Sequence, residues 1–80
     1  MQKIQNIQDT LLNTIRRDKQ TVTFFLMNGF QLRGVVRSYD NFVVILDSEG
    51  KQQMIYKHAI STIVPSEAVD FRETRTAEVL

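Results

Sequence analysis

The sequence predicts a mostly β domain: one N-terminal α-helix followed by a strongly bent, five-stranded antiparallel sheet. Three observations predict it. Apolar residues recur at helical spacing only ahead of Asp18, the pattern changes at Gln20 to β-branched and aromatic residues, and turn signals then come so often that each apolar run suits one short strand.

The helix is expected over about residues 7–18, where Ile7, Leu11, Leu12 and Ile15 share a face. Asn6 is a suitable N-cap, Asp9 puts a carboxylate in the first turn, and Arg16, Arg17 and Lys19 sit where the helix dipole favours cations. With one apolar face, this helix must lie on another element.

The first strand is expected over about residues 21–27 and ends at Asn28-Gly29, a strong hairpin signal. The second covers about residues 30–38, with Gly34 marking a sharp bend or bulge. Asp40-Asn41 is a turn into the third strand, about residues 42–46, and residues 47–50 form the next turn. A fourth strand, about residues 52–56, meets the polar corner Lys57-His58. The fifth, about residues 59–64, stops at Pro65. From Ser66 no periodicity persists, so residues 1–65 read as the domain and residues 66–80 as a short mobile tail, with a helical turn near Phe71.

Short strands joined by tight turns suit an SH3-like or OB-like sheet. Such a sheet has edges. The last two strands contain no internal proline and little charge, which makes them candidates for pairing with a neighbouring subunit; head-to-tail pairing that closes gives a ring. Oligomerisation also answers a problem of size. A chain of 80 residues buries only about 60% of its unfolded surface, and this one has no cysteine and no cluster of Asp, Glu and His at metal-ligand spacing.

No apolar run approaches the roughly 20 residues that span a bilayer, and no signal peptide is visible, so a soluble cytoplasmic protein is expected, without a membrane partner. The net charge is only +1, but it is unevenly spread. Residues 1–65 hold eight Lys or Arg against five Asp or Glu, giving +3, while residues 66–80 hold two against four, giving −2. With one histidine, no cysteine, no glycine-rich phosphate loop and no paired carboxylates, nothing converges as a catalytic centre, and neither metal nor cofactor is implied.

Strand parity sets Val22, Phe24 and Leu26 towards the core and Phe25 on the opposite face. Phe25 is then either a packing residue beneath a neighbouring subunit or a platform for a stacked base. Phe30-Gln31-Leu32-Arg33 joins an aromatic, an amide and a guanidinium near a turn, which suits single-stranded RNA and equally an ordinary exposed strand. Tyr56-Lys57-His58 is either a structural corner or, repeated around a ring axis, a charged pore. Arg16, Arg17 and Lys19 either complement the helix dipole or bind phosphates.

The run Lys51-Gln-Gln-Met-Ile-Tyr-Lys-His-Ala-Ile-Ser-Thr62 resembles the second Sm motif of the Hfq family, and Tyr56 to Thr62 is its most distinctive part. Ile7-Gln8-Asp9 with Leu12-Asn13 resembles the opening of that family's helix. Val22 to Asp40, containing Asn28-Gly-Phe-Gln-Leu-Arg-Gly34, resembles its first Sm motif. The register is continuous from about Asn6 to Pro65.

The resemblance implies an Sm-like fold assembled as a homohexameric ring, an RNA chaperone of post-transcriptional regulation and stress response that pairs small regulatory RNA with mRNA. It implies a proximal, helix-bearing face for uridine-rich ends at Gln8, Asp9, Asn41, Phe42, Lys57 and His58, where Asn41 replaces the family's common glutamine. On the distal face, adenine-rich RNA would meet Phe25, Gly29, Phe30, Gln31, Leu32, Arg33, Gln53 and Thr62. Phe25 stands for a common tyrosine there, and Arg33 with Phe30 favours a two-nucleotide adenine-linker repeat. A rim of Asn13, Arg16, Arg17 and Lys19 would promote annealing, although Lys19 lacks the planar fork of arginine. The tail is shorter than the extension of some members. A rival reading is a small β-barrel scaffold for protein partners, which alanine at Phe25 or Lys57 separates from RNA binding.

Overall fold

The computed structural model describes residues 6–71. Helix α1 spans Ile7–Arg17, and Asn6 caps it by accepting the Asp9 N–H at 2.8 Å. Asp18 is the C-cap and Lys19 follows with φ 55°, the left-handed turn that ends the helix. Strands β1 (Thr21–Leu26), β2 (Gln31–Tyr39), β3 (Val43–Ser48) and β4 (Lys51–Tyr56) form an antiparallel meander. A short 3-10 turn, Lys57–Ala59, leads into β5 (Ile60–Pro65), which returns to pair with β1.

The sheet order is β4-β3-β2-β1-β5, so the two edges are the strands whose sequences carry little charge and no internal proline. Leu12 and Ile15 of α1 pack with Val22, Phe24, Val36, Val44, Leu46 and Ile55 in the core. At about 25 cal/mol per Å² of apolar surface, fully burying side chains of this size contributes about 1.5–3 kcal/mol each, so these two helical residues hold α1 to the sheet. Ile7 departs from the expected buried helix face: it is 55% exposed.

The two glycine turns differ from each other. At the β1–β2 hairpin, Leu26 N–H donates to Phe30 O at 2.8 Å around a three-residue loop in which only Gly29 has positive φ. Glu49 and Gly50 have φ 53° and 80°, the signature of a two-residue type I′ turn between β3 and β4.

Gly34 was expected to mark a bend or bulge, but the β2–β3 register shift falls between Val36 and Ser38. A Cβ at Gly34 would collide with the Asp47 carbonyl oxygen. The glycine is there for close approach of two backbones. The other register shift, between Phe25 and Leu26, lies where β5 runs along β1.

Beyond β5, the buried Gln20 side-chain oxygen accepts from the Glu67 N–H at 3.0 Å and the Ser66 hydroxyl at 3.3 Å, and Val69 packs against the core. The segment thus begins tied to the domain. No helical turn forms up to Phe71, and the remainder of the expected tail lies outside the described residues.

Candidate nucleic-acid interface

The helix-bearing side gathers three of its expected residues into contact. Lys57 reaches back from the 3-10 turn so that Nζ lies 3.0 Å from Asp9 Oδ1, with side-chain exposures of 11% and 28%. Its backbone N–H donates to Phe42 O at 2.8 Å. Phe42 itself is 73% exposed, held out by a turn in which Asp40 Oδ1 accepts the Phe42 and Val43 N–H groups at 2.8 and 2.9 Å. Those two donors, Phe42 first, hold the Asp40 carboxyl below the usual carboxylate range. The result is an open aromatic face beside a half-hidden ammonium group. Gln8 and Asn41 are exposed next to Asp9 and Phe42. His58 stands apart from Lys57 and stacks on Tyr56, with ring centroids 5.6 Å apart.

Tyr39, at the end of β2, was not singled out by sequence. Its hydroxyl donates to the Asp9 carbonyl at 3.3 Å, and its ring carries two cations: Lys57 Nζ at 5.3 Å and the Arg16 guanidinium at 5.9 Å from the centroid. Burial, reinforced by the Asp9 charge and opposed by Arg16, raises the phenol pKa and keeps it a donor. The available signal was an aromatic residue immediately before a turn rich in hydrogen-bonding groups.

The four rim residues divide. Arg16 donates to Asn13 Oδ1 at 2.8 Å, Arg17 instead pairs with Asp18 at 3.2 Å, and Lys19 is exposed beyond the helix end.

On the other set of residues, the β1–β2 hairpin places Phe25 opposite Gln31 and β5 places Thr62 opposite Phe25, so a half-buried aromatic lies between an amide and a hydroxyl. Beside it is a groove of about 420 Å³ lined by Thr23, Gln31, Leu32, Arg33, Ser48, Glu49 and Gln53. Four of the eight expected distal residues share that groove. Gly29 and Phe30 occupy the hairpin loop, where Phe30 is 68% exposed. Thr23, Ser48 and Glu49 were not expected; the Ser48 hydroxyl donates to Arg33 O at 2.7 Å, fixing the β2 backbone at the groove floor. Among the described residues, no group of Asp, Glu and His could hold a metal ion.

A sequence model of a family described as Hfq protein matches residues 7–70. The RNA-binding protein Hfq of Moorella thermoacetica is 58% identical over 98% of this chain and 94% of its own length. That of Bacillus pumilus is 63% identical over 81% of this chain and 89% of its own. A crystal structure described as the pleiotropic translational regulator Hfq superposes with a TM-score of 0.72 at 52% identity, covering 74% of this chain and 98% of that one. Matched in sequence and in fold over most of its length, the chain belongs to the Hfq family.

Proposed function

We propose that this chain is a subunit of a cytoplasmic, ring-forming RNA chaperone that binds two classes of single-stranded RNA on separate surfaces and has no catalytic activity of its own. The observation that carries this reading is the separation of two differently built surfaces within one member of a family whose relatives are named RNA-binding proteins. Around Lys57 there are the exposed Phe42 ring, one ammonium group and the exposed amides of Gln8 and Asn41, which suits a small base and a terminal sugar or phosphate. Uridine-rich 3′ ends are the proposed ligand of Gln8, Asp9, Asn41, Phe42, Lys57 and His58.

The hairpin and groove offer amides, a hydroxyl and aromatic faces, which suits adenine-rich RNA across Phe25, Gly29, Phe30, Gln31, Leu32, Arg33, Gln53 and Thr62. Edge strands β4 and β5 would pair between subunits to close a homohexamer. Six copies of the +3 body carry about +18, a strong field for a polyanion. Asn13, Arg16, Arg17 and Lys19 would then screen two phosphate backbones at once and speed their pairing. Small regulatory RNAs and mRNAs are the proposed partners.

The test is equilibrium binding of labelled oligouridylate and oligoadenylate to the purified protein, singly and together, with light scattering on the same sample. A hexamer that binds both at once, each with a steep salt dependence, is the expected result. A folded protein that binds neither RNA removes the reading.

A further inference from the structure

Two candidate RNA contacts that sequence treats as unrelated, Arg16 of the rim and Lys57 of the helix-side pocket, are seated on the same phenol ring. Each member has a further anchor. Asp9 holds Lys57 through its carboxylate at 3.0 Å and accepts the Tyr39 hydroxyl through its carbonyl at 3.3 Å, while Asn13 holds Arg16 at 2.8 Å. Lys57 is the least exposed member of that pair, at 11%, so its position is set by these neighbours rather than by solvent.

We infer that Tyr39 is a positioning residue that couples the rim to the pocket: withdrawal of Arg16 from its ring by a phosphate seats Lys57 more firmly and tightens uridylate binding. The physical ground is that a ring has one quadrupole. Two cations drawn to it repel each other and compete for the same electron density, so each weakens the hold on the other. When RNA phosphate draws Arg16 away, the whole ring is left to Lys57, whose ammonium group is then better fixed for a base edge. Tyr39 itself needs no contact with RNA for this. The pocket accordingly binds a 3′ end more tightly once the body of the same RNA has reached the rim, which is positive coupling between two sites through one residue.

The inference rests on the proposed uridylate role of Lys57, and the experiment separates the two. Hexauridylate affinity is measured for Arg16→Ala and for Arg17→Ala, which remove the same charge. Only Arg16 touches Tyr39; Arg17 pairs with Asp18. Arg16→Ala is expected to bind about two- to fivefold more tightly than Arg17→Ala, the span of one exposed cation–ring contact. That difference persists with Tyr39→Phe, which keeps the ring, and vanishes with Tyr39→Leu. Equal affinities in the wild-type background, or a difference that survives Tyr39→Leu, overturn the coupling.

A second readout needs no RNA. The Lys57 ε-methylene resonances are expected upfield from the ring current, further upfield in Arg16→Ala, unmoved in Arg17→Ala and near random-coil values in Tyr39→Leu. Failure of hexauridylate to bind at all, with these shifts intact, rejects the pocket assignment and leaves the shared seat standing. Absence of the upfield shift in the wild type rejects the shared seat.

Discussion

Lys57 Nζ and Asp9 Oδ1, 3.0 Å apart, join the corner before the last strand to the first turn of the helix. A base edge reaching Lys57 must share it with this carboxylate, so the ammonium group is oriented before any ligand arrives. Replacing Lys57 with alanine is expected to weaken oligouridylate by about 10- to 100-fold, the scale of one lost hydrogen bond to a charged group, and to leave oligoadenylate within about twofold. Fluorescence anisotropy with the two probes checks this.

Phe25 lies between Gln31 and Thr62, its neighbours on the flanking strands. Stacking of one base is worth about 1–3 kcal/mol, so Phe25→Ala is expected to weaken oligoadenylate roughly 5- to 150-fold and spare oligouridylate. If Phe25 serves only to pack a neighbouring subunit, light scattering will instead report a smaller assembly with both affinities reduced.

Gly34 admits no side chain, because its neighbour is the Asp47 backbone and not a movable side-chain end. Gly34→Ala is expected to cost about 2–3 kcal/mol by forcing β2 from β3, read as a lowered midpoint of urea denaturation.

The Asp40 carboxyl is lowered by the N–H groups of Phe42 and Val43. A group whose folded pKa lies below its unfolded value adds stability that is full above the unfolded value, about 3.9, and is lost as pH falls through the folded one. Denaturation midpoints measured between pH 6 and pH 2 should therefore fall less steeply for Asp40→Asn, which keeps an acceptor oxygen but does not titrate, than for the wild type. Parallel curves would mean that the turn draws nothing from the charge.

Much of this arrangement was legible in the chain because it rests on periodicity. The parity that turns Val22 and Phe24 inward, the caps of α1 and the sparsely charged edges β4 and β5 are all local patterns, and the structure places them as expected. What sequence missed depends on residues that meet only after folding. Tyr39 acquires its two cations from α1 and from the turn after β4, and Gln20 acquires its partners from beyond β5. The same limit explains Gly34, where a bend and a close backbone approach predict the same residue. Likewise Asn28-Gly29 announced a hairpin correctly, but the two-residue type I′ turn itself lies at Glu49-Gly50, where the positive φ of Glu49 breaks the usual residue preference.

Strand β1 is flanked by β2, which follows it at once, and by β5, the last strand of the sheet, with Val22 opposite Pro65. During synthesis, the first strand to leave the ribosome is therefore the one that must wait longest for its second neighbour. A nascent chain carrying α1 and the four-strand meander exposes along β1 a row of unpaired amides and carbonyls, in the company of many identical chains on the same message. Emergence of β5, rather than of any earlier hairpin, is the event that closes this seam, and a stall before Ile60 leaves it open to the wrong partner.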